Sequence, residues 1–166
     1  LASTEGTDVI LSGSKRMHER PIKILVDALK HLGANIEYIE ADGYPPLRIY
    51  GSKLKGNFEK MKANVSSQYI SALLLIAPSL PKGLTLELEG VITSIPYINM
   101  TLALLNLMDV STLFEQNTIH ISPKEVVQDT RFVAESDWSS ASYFYSLIYS
   151  NIFFVDDSLF QFVHGC

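Results

Sequence analysis

Residues 64–80 read NVSSQYISALLLIAPSL, and this stretch organises the rest of the chain. Three small polar residues, Ser66, Ser67 and Gln68, come before a run that is almost entirely apolar, and Pro78 ends that run. The pattern predicts a helix that is buried on nearly all sides and whose polar N-terminus opens outward. Because a helix N-terminus has free N–H groups and a partial positive charge, hydroxyls and an amide there suit a phosphate or a carboxylate. The simpler alternative is that Ser66 serves only as the N-cap residue.

The composition is that of a globular domain. The chain has 166 residues, of which 47% are hydrophobic and 19% charged, and this is enough for one domain with a real core. A net charge of −5 argues against nucleic-acid binding, and the apolar runs are shorter than the roughly 20 residues that span a bilayer. One cysteine, Cys166, favours a reduced, cytoplasmic location, and the scattered histidines lack metal-ligand spacing. We therefore expect no metal, cofactor, nucleic acid or membrane as a partner.

Hydrophobic periodicity divides the chain into short elements. Before the central stretch it predicts strands at 8–11, 35–40, 47–50 and near 57–61, and a helix at 22–32 with Pro21 in its first turn and Gly33 at its end. After the central stretch it predicts a strand at 84–89, a helix within 93–109 that begins near Pro96, a hairpin at 110–115 and 118–122, and a strand at 131–134. Apolar residues surround most of the helix within 93–109, so we expect it to be buried as well.

The order of these elements is βαββ followed by βαβαββ, so the same unit occurs twice. Helices with wide apolar surfaces and strands with one polar face predict that the helices lie inside and the sheets outside. The fold class is therefore α/β in the broad sense (α+β), with βαβαββ repeats, buried helices and outward-facing sheets. Small and acidic residues at 137–142, DWSSAS, mark a candidate domain boundary.

Several of these stretches together resemble one enzyme family. They are RMHERPIKILVDALKHLGANIEY (16–38), GYPPLRI (43–49), VSSQYISALLLIAP (65–78), SIPYINMTLALL (94–105) and DWSSASYF (137–144). In this order and spacing they resemble 5-enolpyruvylshikimate-3-phosphate synthases, which join phosphoenolpyruvate to shikimate 3-phosphate. The resemblance covers roughly residues 8–144.

The resemblance implies one lobe of the two-lobed enolpyruvyl transferase fold, in which substrates bind between the lobes. Residues 1–136 would form part of the first lobe, and residues 137–166 would form the crossover and the truncated start of the second. The family is cytoplasmic and usually monomeric, and it acts in aromatic amino acid biosynthesis. The partners implied are therefore shikimate 3-phosphate, phosphoenolpyruvate and the missing second lobe.

The resemblance also implies roles for individual side chains. For shikimate 3-phosphate it implies Ser66, Ser67, Gln68, Ser94 and Tyr97; for phosphoenolpyruvate it implies Arg20 and Gln68. A guanidinium suits an anion, and we expect a helix start at Arg20 to add to its positive field. Two alternatives stay open. Arg20 could be a solvated residue that pairs with Glu19 or Asp27, and Tyr97 could be a core tyrosine at a helix start.

The chain also departs from the family pattern. The acid and base residues of the family belong to the second lobe, so we expect no catalytic residue in this chain and no turnover by it alone. Two other functions remain open: a UDP-N-acetylglucosamine enolpyruvyl transferase of the same fold, and a non-catalytic structural or interaction module. The first of these families relies on a reactive loop cysteine, and this chain has no internal cysteine.

Overall fold

The computed structural model describes residues 2–93, 95–125 and 131. Ser94, the predicted crossover at 137–166 and all but the first residue of the predicted strand at 131–134 lie outside the described residues. Contacts divide the chain into two compact units, Leu1–Thr130 and Arg131–Cys166. Every described element belongs to the first unit, and the domain boundary after residue 136 stays a prediction.

Within the described residues there are seven strands and four α-helices. The strands are β1 (Asp8–Leu11), β2 (Asn35–Tyr38), β3 (Leu47–Tyr50), β4 (Phe58–Lys62), β5 (Leu84–Glu89), β6 (Thr112–Glu115) and β7 (Thr118–Ile121). The helices are α1 (Lys15–His18), α2 (Lys23–His31), α3 (Ser67–Ile76) and α4 (Ile95–Leu107), and a 3₁₀ turn (Ala77–Ser79) follows α3. None of these helices is long and apolar enough to cross a membrane.

The strands form two sheets. The first is antiparallel with the order β1-β3-β2, and Ile49 in its central strand lies opposite both Val9 and Ile36. The second has the order β4-β5-β7-β6; β4 and β5 are parallel, and the other two pairs are antiparallel. The second half of the chain therefore forms one βαβαββ unit, and this confirms the predicted α/β class.

The bounds of α2 differ slightly from the prediction. The helix begins at Lys23, so Pro21 lies before its first turn rather than in it, and Arg20 does not lie at a helix start. The cause is Ile22, whose φ of −126° is not helical and whose N–H donates to the carbonyl of Gly43 at 2.8 Å. The predicted end is confirmed: Gly33 follows the helix with a φ of +103°, a conformation that glycine adopts without strain.

The core lies between the helices and the inner faces of the two sheets. Strand β5 shows the predicted alternation, because Leu84, Leu86 and Leu88 are buried and the residues between them are not. In α3, Ile70, Leu73 and Leu74 are fully buried, but Leu75 is 53% exposed. Because residues three and four apart share a helix face, these three lie on one side of α3, so the prediction of burial on nearly all sides is correct for that side and wrong for the side with Leu75.

The predicted burial of α4 on most sides is wrong. Its inner residues, Ile98, Leu102 and Leu105, are buried, but one stripe along the helix is open. The residues of this α4 stripe and their exposed fractions are Tyr97 58%, Met100 56%, Leu104 40% and Leu107 65%. An apolar sequence indicates that a helix face is suited to burial, but it does not show whether other residues pack against that face.

The ring of Tyr38 makes favourable contacts with two lysines, whereas its hydroxyl is in an unfavourable position. The Nζ atoms of Lys23 and Lys30 lie 5.8 and 5.2 Å from the centre of its ring. Its hydroxyl is buried and has no hydrogen-bond partner among the described residues. Burial, followed by the charge of Asp27, raises the pKa of this phenol. An unsatisfied buried hydroxyl costs stability, because it loses its hydrogen bonds to water and gains none in the protein.

We expect Tyr38→Phe to leave the free energy of unfolding unchanged or to raise it by up to about 1 kcal/mol, since it removes the unsatisfied hydroxyl and keeps the ring. Urea unfolding followed by circular dichroism measures this change. A clear loss of stability would show that the hydroxyl has a partner in solution.

The difference between two leucines of α3 tests the core. Leu73→Ala should lower the free energy of unfolding by about 2–5 kcal/mol, because the side chain is fully buried. Leu75→Ala is the matched control, since Leu75 is 53% exposed, and we expect a change within about 0.5 kcal/mol. Equal losses in the two variants would mean that Leu75 is covered in solution.

Candidate functional site

The N-terminus of α3 carries the first candidate residues. Ser66 precedes the helix with extended backbone angles, and its carbonyl accepts from the N–H of Tyr69 at 2.9 Å. Its hydroxyl makes no capping hydrogen bond. The alternative that Ser66 serves only as an N-cap therefore loses its main support, because an N-cap side chain normally accepts from the second or third residue of the helix.

Ser67 and Gln68, the first two residues of α3, are also available to a ligand. Gln68 is exposed and Ser67 is half-buried. Neither side chain has a hydrogen bond to any residue that the structure describes. The first turn contains no acidic residue, so no carboxylate there offsets the partial positive charge of the helix end. This turn therefore offers two hydroxyls, an amide and unpaired N–H groups to an anion.

The βαβαββ unit that begins with β4 places this turn at a particular edge of its sheet. Helix α3 follows β4, and α4 follows β5, which is parallel to β4. In such units the helices begin at the carboxyl ends of the strands, and this edge is where α/β proteins bind ligands. The hairpin turn also reaches this edge, because Asn117 Nδ2 donates to the carbonyls of Leu88 and Gly90 at 2.9 and 2.8 Å.

Tyr97 belongs to the same end of the helix pair. Thr101 Oγ1 donates to the Tyr97 carbonyl at 2.9 Å, and it also lies 2.9 Å from Ser71 Oγ in α3. This chain of hydrogen bonds joins the second turn of α3 to the first turn of α4 through Thr101. The Tyr97 side chain is 58% exposed, which argues against a core tyrosine. The other residue predicted from this motif, Ser94, lies outside the described residues.

Arg20 approaches the site from the first half of the chain. It lies between α1 and α2, and its backbone N–H donates to Met17 at 3.2 Å. The next residue, Pro21, accepts a hydrogen bond from the Tyr69 hydroxyl at 2.5 Å, so the segment that contains Arg20 contacts the first turn of α3. The structure thereby brings the segment with Arg20 next to Ser67 and Gln68.

The guanidinium of Arg20 has no ion pair within the described residues. Pairing with Glu19 or Asp27 was the alternative, but the structure shows neither pair, and Asp27 instead lies 3.9 Å from Lys23. An exposed, unpaired guanidinium is free to form a bidentate contact with a carboxylate or a phosphate. The described residues contain no group of three side chains that could hold a metal ion.

Tyr69 is the site residue that the sequence did not reveal. Its position within the run YISALLLIA led us to count it among the apolar residues of the helix. The available signal was its hydroxyl, the single phenol in a run that is aliphatic apart from Ser71, since the hydroxyl of a tyrosine that packs its ring often finds a hydrogen-bond partner.

Comparisons with known proteins agree with the geometry. Residues 1–148 match the family model described as EPSP synthase (3-phosphoshikimate 1-carboxyvinyltransferase). A 3-phosphoshikimate 1-carboxyvinyltransferase of Bacteroides fragilis is 50% identical over 149 residues, which cover 89% of this chain and 36% of that protein. One of Colwellia psychrerythraea is 42% identical over 146 residues, which cover 87% of this chain and 34% of that protein. The chain therefore spans about a third of the length of these relatives.

A solved structure supports the fold. The EPSP synthase from Acinetobacter baumannii superposes with a TM-score of 0.68 over 86% of this chain and 31% of that chain. The sequence identity in this superposition is 22%, so the similarity supports the architecture and not the function of individual residues.

Two serines of α3 test whether Ser66 acts as a cap. Ser66→Ala should change the free energy of unfolding by less than about 0.5 kcal/mol, because its hydroxyl makes no hydrogen bond, whereas loss of a true N-cap costs about 1 kcal/mol. Ser71→Ala should cost about 1 kcal/mol, because it removes the hydrogen bond to Thr101. Urea unfolding of both variants measures these values. A loss near 1 kcal/mol in Ser66→Ala would restore the capping role.

Proposed function

The chain belongs to the EPSP synthase family, and on that premise we propose that it contributes part of the substrate site of an enzyme that transfers the enolpyruvyl group of phosphoenolpyruvate to shikimate 3-phosphate. The observation that carries this proposal is the first turn of α3. Its polar side chains have no hydrogen-bond partners among the described residues. Arg20, which has no ion pair among these residues, precedes the residue that Tyr69 of this turn contacts.

We propose the following assignment of side chains. Ser66, Ser67 and Gln68 bind the phosphate and hydroxyl groups of shikimate 3-phosphate, together with Tyr97 and Ser94. Arg20 binds phosphoenolpyruvate, and Gln68 lies between the two substrates. The free N–H groups of the helix, its partial charge and the side-chain hydroxyls all favour a phosphate at this turn.

The chemistry explains why anion binding is central. In the reaction a substrate hydroxyl oxygen forms a bond to C2 of phosphoenolpyruvate, the bond from C2 to the phosphate oxygen breaks, and the proton lost by the hydroxyl is balanced by the one on the released hydrogen phosphate. Both substrates are anions, so the enzyme must hold two like charges within reach of each other. Fixed cations and hydrogen-bond donors offset that repulsion, and correct orientation itself lowers the barrier of a two-substrate reaction.

We propose that this chain binds and orients substrate but does not turn it over alone. The family's acid and base residues correspond to no position of this sequence, and the chain spans about a third of the length of its relatives. The remaining part of such an enzyme would supply those groups and close the other side of the site. We also propose that the complete enzyme is cytoplasmic and monomeric.

A specific observation supports a second candidate, a non-catalytic interaction module. The α4 stripe exposes four large apolar side chains on one helix face, and contiguous exposed apolar surface often marks an interaction site. Binding of shikimate 3-phosphate separates the two candidates, because an interaction module of this kind has no need for a phosphate site.

Calorimetric titration of shikimate 3-phosphate into the 166-residue chain tests the proposed function. We expect a dissociation constant in the millimolar range, about 4 kcal/mol, because only one side of the ligand is contacted. Shikimate, which lacks the phosphate, should bind at least about tenfold more weakly, since it loses the charge-assisted hydrogen bonds.

The variant Ser67→Ala combined with Gln68→Ala should abolish the measurable heat of binding. The matched control is Ser79→Ala at the opposite end of α3, where the hydroxyl donates to the Ile76 carbonyl at 2.7 Å, and this variant should bind like the wild type. A folded chain that gives no heat at about 10 mM ligand, well above the expected constant, would contradict the proposal.

A further inference from the structure

A single hydrogen bond connects the two predicted halves of the site. The hydroxyl of Tyr69 donates to the carbonyl oxygen of Pro21 at 2.5 Å, at the short end of the range for such bonds. Tyr69 directly follows Gln68, and Pro21 directly follows Arg20. Since consecutive Cα atoms are about 3.8 Å apart, this bond limits how far apart the backbones of Arg20 and Gln68 can lie.

The other hydrogen bonds of this segment do not involve α3. The N–H of Arg20 donates to Met17 at 3.2 Å, and the N–H of Ile22 donates to Gly43 at 2.8 Å. Both partners belong to the first half of the chain. Among the described residues, the hydrogen bond from Tyr69 therefore joins residues 20–22 to α3, whereas the other hydrogen bonds of these residues do not.

Apolar packing constrains the position of α2 only partly. A cleft of about 250 Å³ lies between α2, the first sheet and α3; Leu25, Leu29, Ala72 and Ile76 are among its lining residues. A second cleft of about 300 Å³ follows another face of α2, beside Ile24 and His31. A close-packed interface fixes the positions of its elements, whereas an interface with clefts leaves room for small shifts. The hydrogen bond from Tyr69 adds a directional contact with α3 to the one that Ile22 makes with Gly43 at the site end of α2.

We propose that Tyr69 is a positioning residue that, through Pro21, holds Arg20 at a fixed distance from the first turn of α3. The two anion-binding groups then act as one site for a phosphate and a carboxylate. Tyr69 itself contacts neither substrate, so its hydroxyl affects binding only through Arg20. This inference rests on the proposed function for its ligand, but the contact itself is independent of any ligand.

The first experiment needs no ligand. Amide residual dipolar couplings of the full chain compare the orientation of Arg20 and Ile22 with that of α3. In the wild type we expect both residues to fit the same alignment as α3. In Tyr69→Phe, which keeps the ring and removes the hydrogen bond, their couplings should shrink through averaging, and the backbone order parameter of Arg20 should fall from about 0.85 toward 0.6. Unchanged couplings in Tyr69→Phe would overturn the inference.

The matched control is Tyr38→Phe, because the hydroxyl of Tyr38 has no hydrogen-bond partner. This variant removes the same group from a tyrosine that lies beside α2, and the couplings of Arg20 should not change. Equal averaging in both variants would also overturn the inference, since it would reflect a general loosening of the fold.

The second experiment is a double-mutant cycle with phosphoenolpyruvate as the titrated ligand. Tyr69→Phe should weaken its binding by about tenfold, or about 1.4 kcal/mol. In an Arg20→Gln background the same change should have less than about a twofold effect, because the hydroxyl acts through Arg20. Equal effects in the two backgrounds would overturn the positioning role.

The two experiments separate the inference from the proposed function. A wild-type chain that does not bind phosphoenolpyruvate would count against the proposed function, and the ligand-free couplings would still decide the role of Tyr69.

Discussion

The burial of α3 is the constraint on which the rest of the structure depends. Ile70, Leu73 and Leu74 are fully buried, so this face of the helix is fixed against the core. It connects β4 to the parallel strand β5, and a connection of this kind returns the chain to the starting edge of the sheet. Its first turn must therefore emerge at the carboxyl edge of the strands. The polar residues Ser66 to Gln68 lie where the buried helix meets that edge.

Charge pairing on the two sheets contrasts with the candidate site. Arg48 forms a bidentate pair with Asp8 at 3.0 and 2.9 Å and thereby lowers the pKa of that carboxyl. Lys60 lies 2.9 and 3.1 Å from Glu87 and Glu89, and other lysines have similar partners. Such exposed pairs contribute little to stability, but they neutralise Arg48 and Lys60 within the two sheets. Arg20 is not paired, and the first turn of α3 has no carboxylate. Arg20 and the N-terminus of α3 therefore contribute positive charge near this edge, although the chain carries a net charge of −5.

The sequence predicted those features that depend on local periodicity. Strands β3 and β5 have the predicted bounds, since alternation and the flanking Pro46 and Gly90 define them locally. The late start of α2 was not predictable, because it results from a hydrogen bond between Ile22 and the distant Gly43. The exposed α4 stripe was not predictable either, because apolar residues look the same whether or not a partner covers them. For the site, the resemblance supplied the residues, but no periodicity could reveal that Tyr69 contacts Pro21 across 48 positions.

The α4 stripe and the candidate site have one property in common, because both make only part of the contacts that their side chains could make. We therefore expect the site to bind its ligand weakly. An apolar side chain that stays in water gives up roughly 25 cal/mol for each Å² that it could bury. A charge-assisted hydrogen bond contributes only about 1.5–3 kcal/mol, so a turn that contacts one side of an anion gives millimolar affinity at best. On the α4 stripe, apolar side chains could still be buried, and at the first turn of α3, hydrogen-bonding groups could still gain a partner. Because a transferase must surround two anions to exclude water and fix their orientation, a site with one contacted side can select a phosphate but not complete the reaction.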